Sequence, residues 1–301
     1  MRLSLLFFAA ALCQLAIAAE PREVYYADLL TSAMSYDNGF LLVYDIGDLN
    51  VFGPDGSHLF DLTARIEGGE LIKVEGAAAD TDGAIAAAVD FAMEGTSRRV
   101  HGGIVMFEPS GRQVRFFDTG EYLPLKVAFG PDHTIWTLGW PGSQSEPWGN
   151  DFRLLQNFSQ EGKGLGAYLP RSSFRAEADP IGQFLGGWEL HVIGDRVGAV
   201  FYRSSVHRAG QPMPSMLWVE TDLKGKELGR WNLGYECPPE AFTASGALYT
   251  STPNVMSIFD RKAQTWRRAA IPRDGFLLGA DGDSLVFLIR PNRLRWVPVG
   301  K

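Results

Sequence analysis

The phrase Phe52-Gly53-Pro54-Asp55-Gly56 returns with variation as Phe107-Glu108-Pro109-Ser110-Gly111, Phe158-Ser159-Gln160-Glu161-Gly162, Thr221-Asp222-Leu223-Lys224-Gly225 and Phe259-Asp260-Arg261-Lys262-Ala263. Each copy lies between two short apolar runs, the pattern of a β-hairpin. A hairpin that recurs along most of a chain marks a repeat architecture, in which each unit buries its apolar faces by stacking on its neighbours.

Short β-branched and aromatic runs bounded by Gly, Asp, Pro and Asn predict strands, and no stretch sustains the 3.6-residue period of an amphipathic helix. Residues 72–79, 84–91, 103–107 and 113–118 form the clearest four-strand unit. The third unit runs 125–129, 134–139, 152–158 and 164–169, the fourth 188–193, 196–202, 216–220 and 227–233, the fifth 240–243, 247–251, 255–259 and 265–269. Before them, 40–45, 49–52 and 58–62 supply the outer three strands of a first unit. The last stretch offers only 276–279, 284–289 and 293–297, so the strand-like run 23–27 is expected to complete it and seal the ring. The expected fold class is all-β: a six-bladed β-propeller of four-stranded antiparallel blades, with the N-terminal strand closing the last blade.

Residues 1–18 carry Arg2, an apolar run from Leu3 to Leu12 and a terminal Ala16-Ile17-Ala18. That is the form of a secretory signal peptide, and the run is too short to span a bilayer as a helix. The expected organisation is therefore a cleaved leader at 1–18 and one propeller domain at 19–301, secreted or periplasmic. Cleavage leaves 301 − 18 = 283 residues, about 47 per blade, within the usual repeat period. It also leaves Cys237 as the one cysteine, so no intrachain disulfide can form and the core must supply the stability. Loss of Arg2 takes the formal charge from −7 to −8 with basic residues scattered, which argues against nucleic acid as a partner. The sequon Asn157-Phe158-Ser159 falls in a predicted strand and is read as accidental.

Turns joining strands 1 to 2 and 3 to 4 share one end of every blade and are short here. The 2-to-3 connections share the other end with the blade-to-blade connectors and carry insertions at 92–102, 140–151 and 203–215, with a long connector at 170–187. Long segments on a rigid scaffold are where recognition concentrates, which favours this face, with Trp140, Trp148, His207, Arg98 and Arg99 as its prominent side chains. Inner strands begin on the same face, so Glu75, Lys126, Glu189 and Glu240 are expected to ring the mouth of the central channel. Strand alternation places Glu189 and His191 on one side of their strand, a carboxylate and an imidazole able to hold a divalent cation or run acid–base chemistry.

The stretches Val127-Ala128-Phe129-Gly130-Pro131-Asp132-His133-Thr134-Ile135-Trp136 and Pro239 to Tyr249 resemble the inner two strands of NHL-repeat, SMP-30/gluconolactonase-like and streptogramin-lyase propellers. The lactonase resemblance implies a calcium- or magnesium-type cation held on the axis, for which Glu75 looks like the first ligand. The lyase resemblance implies a Glu-x-His pair, which Glu189-Leu190-His191 matches. Under these enzyme readings the metal set is Glu75, Glu189 and His191. The reading that needs fewer special residues is a binding propeller without a cofactor. Its partner would be an envelope or extracellular protein, a peptide, a glycan or a small molecule, with Glu75, Lys126, Trp140, Trp148, Glu189, His191 and Glu240 as contact residues.

Overall fold

The computed structural model describes residues 22–26, 33–93, 100–141, 152–174, 185–203, 216–234, 238–252, 255–271, 275–289 and 292–299. They form six four-stranded antiparallel sheets. Blade 1 contains β2 (Ala33–Asp37), β3 (Phe40–Tyr44), β4 (Asp48–Phe52) and β5 (His58–Thr63), and blade 2 contains β6 (Gly69–Ala79), β7 (Ile85–Met93), β8 (Val100–Phe107) and β9 (Gln113–Gly120). Blade 3 contains β10 (Tyr122–Phe129), β11 (Ile135–Pro141), β12 (Arg153–Phe158) and β13 (Gly164–Pro170), followed by a single 3-10 turn, Arg171–Phe174. Blade 4 contains β14 (Leu185–Ile193), β15 (Arg196–Arg203), β16 (Met216–Asp222) and β17 (Glu227–Gly234). Blade 5 contains β18 (Ala241–Phe242), β19 (Leu248–Thr252), β20 (Val255–Asp260) and β21 (Thr265–Arg268). Blade 6 contains β22 (Phe276–Asp281), β23 (Ser284–Ile289), β24 (Arg293–Pro298) and, as its outermost strand, β1 (Arg22–Tyr25).

The ring therefore closes as the sequence predicts. Strand β1 pairs antiparallel with β24, Arg22 opposite Trp296 and Tyr25 opposite Arg293. Glu23 sits between Arg293 and Arg295 and forms ion pairs with both. Hydrogen bonding to Arg295 and the charges of both arginines hold its carboxyl below the ordinary carboxylate range. Arg22 donates to the carbonyl of Pro54 at 2.6 Å and lies over the Trp296 ring, joining the closing strand to blade 1.

The recurring phrase has a single geometry. In the first copy the amide of Gly53 bonds the carbonyl of Ser57 at 2.9 Å, and the amide of Gly56 bonds back to Gly53 at 3.0 Å. The same pair of bonds recurs at Glu108, Ser159 and Asp222, and again in the 1-to-2 turns that begin at Asp80, Gly130 and Thr243. This is the three-residue hairpin loop, a type I turn followed by a left-handed residue. Glycine fills that last position at Gly56, Gly83, Gly111, Gly162, Gly225 and Gly246, with φ from 76° to 88°. The fifth copy differs because Ala263 stands where glycine is needed. There the left-handed residue moves on to Gln264, at φ 52°, and the Asp260 carboxylate accepts from the amides of Lys262 and Ala263.

The core is not a single mass. Strand alternation divides the buried side chains into six clusters, one in each gap between neighbouring blades. On β7, Ile85, Ala87 and Val89 face blade 1 while Ala86 and Ala88 face blade 3. On β23, Val286 and Leu288 face blade 1 while Leu285 and Phe287 face blade 5. A strand buried on both faces must be apolar at consecutive positions, which is why these segments read as runs rather than as alternating strands. Each large side chain sealed in a gap contributes roughly 1.5–3 kcal/mol.

The sequence reading did not place an inner strand in blade 1. The structure supplies it as β2, joined to β3 by the two-residue turn Asn38-Gly39, both residues at positive φ (49° and 91°).

Candidate functional site

The inner strands surround a central channel that holds a cavity of about 420 Å³. Its wall comes from strand 1 of every blade and includes Asp37, Lys126, Glu189, His191, Glu240 and Asp281. The cavity reaches the short-turn end of the disc, since Asn38, Gly194 and Gly282 belong to its rim. The predicted recognition face lies at the other end. Trp148, His207, Arg98 and Arg99 fall outside the described residues, and Trp140 is half-buried in β11 opposite Leu123, away from the cavity wall.

Lys126 follows an irregularity between Pro124 and Lys126, and Glu189 follows one between Gly187 and Glu189. Such bulges re-aim side chains, and here the two groups form an ion pair across adjacent blades at 3.5 Å. Burial pushes the Glu189 carboxyl upward, against the pull of Lys126. His191 lies on the same strand and also faces the channel, with its ring 6.0 Å from that of Trp218. Burial, assisted by the Lys126 charge, lowers its pKa to about 4, so the imidazole is neutral at physiological pH. Its Nε2 is buried and has no hydrogen-bond partner among the described residues.

Glu240 also lines the cavity, but its carboxylate accepts from the amide of Ser251 at 3.0 Å and from that residue's hydroxyl at 2.5 Å. Glu75 sits at a bulge between Val74 and Gly76 that turns it toward Lys73, at 2.9 Å, and toward Asp90. Burial and the neighbouring Glu75 raise the Asp90 carboxyl. The expected metal set is therefore not assembled. Among the described residues, the His, Cys, Asp or Glu group whose ligand atoms lie within 4.8 Å of one another is Asp80, Asp82 and His133, not Glu75, Glu189 and His191. Glu75 and Glu189 each have a lysine partner, and Lys126 places a fixed positive charge where the resemblance would seat a cation. This donor set does not fit a divalent metal on the axis.

Two wall residues were absent from the sequence reading. Asp37 ends β2, and burial raises its pKa to about 7. No hydrogen bond or ion pair involves its carboxyl among the described residues. Tyr44 ends β3, and its hydroxyl pKa is raised by burial and by the charges of Glu189, Asp37 and Glu75, in that order. Asp37 would follow from locating β2, for which the Asn38-Gly39 dipeptide between apolar runs was the signal, whereas Tyr44 lies in the predicted 40–45 strand.

At the short-turn end, Asp80 is buried in the gap between blades 2 and 3 with only 1% of its surface exposed. Its Oδ2 lies 2.6 Å from Nδ1 of His133, and Gln160 donates to it at 3.5 Å. The hydrogen bond and charge of Asp80 raise the His133 pKa.

No known family matches the sequence, and no curated protein matches it. Among solved structures, the chain is similar to the Dos1 propeller, at TM-score 0.50 and 10% identity, over 92% of this chain and 83% of that one. At that identity the likeness shows the fold alone. A glucose dehydrogenase matches at TM-score 0.47 and 12% identity, over 93% of this chain and all of that one. A Bacteroides caccae protein of unknown function matches at 0.43 and 10%, over 78% and 80%. The chain is a six-bladed β-propeller.

Proposed function

We propose that this propeller is an exported binding protein, secreted or periplasmic, that takes a small polar ligand in its central channel. The observation that carries this reading is the cavity of about 420 Å³ with Asp37 and His191 on its wall, a volume within the range of small-molecule sites. A buried polar atom without a partner costs about 1–3 kcal/mol, and a ligand that meets it recovers that cost. His191 has such an atom, and the residue belongs to the cavity wall.

Catalysis by the Glu189–His191 pair has weaker support. The lactonase-type resemblance requires a cation that the donor set does not fit, and Glu189 is already engaged by Lys126. No step through a metal follows from these residues. Docking of an envelope protein, peptide or glycan on the long-loop face remains the extension of the same reading to a macromolecular partner.

The test is a thermal-shift screen of small polar compounds of positive, neutral and negative charge. The His191→Phe variant, which fills the channel beside Trp218 and Phe242, serves as control. Stabilising compounds should lose their effect in the variant. A screen without hits, or hits that persist in His191→Phe, overturns the proposal.

A further inference from the structure

Three carboxylates act on the hydroxyl of Tyr44: Glu189, Asp37 and Glu75. Two of them are compensated. Glu75 has Lys73 at 2.9 Å, and Glu189 has Lys126 at 3.5 Å. Asp37 faces the same cavity and has no cation beside it among the described residues. The rest of the wall does not supply one. Glu240 and Asp281 are acidic, His191 is neutral, and Lys126 is already paired. On the neighbouring inner strand Asp281 accepts from the Tyr36 hydroxyl at 3.0 Å and from Trp296 Nε1 at 3.2 Å, bonds that orient the carboxylate without neutralising it. Among the described residues the channel is thus a walled space with a carboxylate at Asp37 that no cation meets, an aromatic ring at Tyr44 and an unpartnered imidazole nitrogen at His191.

We propose that the ligand of this channel is a small organic ammonium ion, its charge held by the Asp37 carboxylate beside the Tyr44 ring. The proposal rests on the channel-binding reading above and names the chemistry of its ligand. A charge in a poorly solvated site calls for an opposite charge, and aromatic faces add attraction for an ammonium group. A divalent metal is disfavoured because Asp37 belongs to no three-ligand group among the described residues. The volume suits a molecule of several heavy atoms better than a bare ion. The neutral His191 offers one further hydrogen bond to a donor or acceptor elsewhere on such a molecule.

The binding step also moves a proton. The Asp37 carboxyl is raised to about 7 when it stands alone, and an ammonium ion beside it favours the ionised form. Binding at pH 7 should therefore release about half a proton per site to the buffer.

The probe set is three four-carbon molecules of different charge: 1,4-diaminobutane, 1,4-butanediol and succinate, titrated calorimetrically into the whole protein at low ionic strength. The diamine should bind at least tenfold more tightly than the diol, and succinate should not bind. Asp37→Asn should remove at least tenfold of the diamine affinity and abolish the proton release, which is read by repeating the titration in buffers of different ionisation enthalpy. Should that variant fail to fold, the order of the three probes on the unaltered protein still decides the charge assignment. Equal or tighter binding of the diol or succinate overturns the charge assignment, as does stoichiometric binding of calcium that displaces the diamine. If these probes fail while other compounds stabilise the protein in a His191-dependent manner, only the ammonium assignment falls. If no compound of any charge does so, the channel-binding reading falls with it.

Discussion

Blades 2 and 3 and blades 4 and 5 each bury one carboxylate in the gap between them, and they neutralise it in different ways. Between blades 4 and 5, Glu220 is 1% exposed and accepts from Trp218 Nε1 at 2.6 Å. Arg261 reaches it from blade 5 with two nitrogens, and Arg196 stands 3.6 Å away. Between blades 2 and 3, Asp80 is equally buried, and the group facing it is His133, which is half exposed and titratable. An arginine is charged at every accessible pH, whereas a histidine changes charge within the physiological range. One gap is sealed permanently and the other conditionally. The backbone reflects the same asymmetry. His133 occupies the left-handed slot that glycine fills in most of the other turns, at φ 61°, so the imidazole is bought with local strain.

The contrast can be broken most forcefully at Arg261. Arg261→Ala strips the buried Glu220 of its main partner and should cost about 2–3 kcal/mol in urea denaturation, below the ~3–5 of a fully isolated pair because Arg196 remains. A loss under about 0.5 kcal/mol would show that the pair has surface character. In the turn that begins at Asp80, Gly83→Ala, at φ 88° with its nearest neighbour, Phe40 of blade 1, 3.4 Å from the added methyl, should cost about 1–2 kcal/mol through backbone strain alone.

Acidity separates the two gaps more sharply than truncation does. The His133 pKa is raised in the folded state, so the folded protein holds that proton more tightly. The stabilisation is complete below the ordinary histidine value of about 6.5 and is lost as pH rises through the raised one. The melting temperature of wild type should exceed that of His133→Gln at pH 5.5, and the two should converge at pH 9. The deficit of Arg261→Ala should stay constant across the same range. A His133→Gln deficit that is equally constant would make His133 a packing residue. The smallest effect is expected for His133→Gly at pH 9, where the ion pair is already gone and relief of strain should bring the melting temperature level with wild type or slightly above it.

The blade count, the closing strand and most turns were legible in the sequence because they rest on local chemistry: glycine at a left-handed position and apolar runs of strand length. The inner strand of blade 1 was not, since Ser35 and Asp37 interrupt its apolar character and the ring rather than the strand itself buries it. The candidate site was legible only in part. Lys126, Glu189, His191 and Glu240 do share the channel, because inner strands begin at predictable places. Bulges at 74–76 and 187–189 determine which of the acids meet which lysines, and nothing in residue spacing announces a bulge. Asp37 was hidden with its strand, whereas Tyr44 stood in the predicted 40–45 strand, which was read as an outer one. The fifth turn departs from the others for a simpler reason: Ala263 does not take the conformation of the glycines in the other copies, and the loop grows by one residue.

The strand that seals the last blade has a temporal consequence. Arg22–Tyr25 is made before all the other described strands, and its partner Arg293–Pro298 after all of them. Until β22 to β24 are made, β1 has no sheet to join, and the apolar faces of Tyr26 and Phe52 wait for Val286 and Trp296. Contacts of such long sequence separation form late and slowly. A chain that lacks either of these two strands therefore keeps its other five sheets but has no latch, and it opens where the pair should meet.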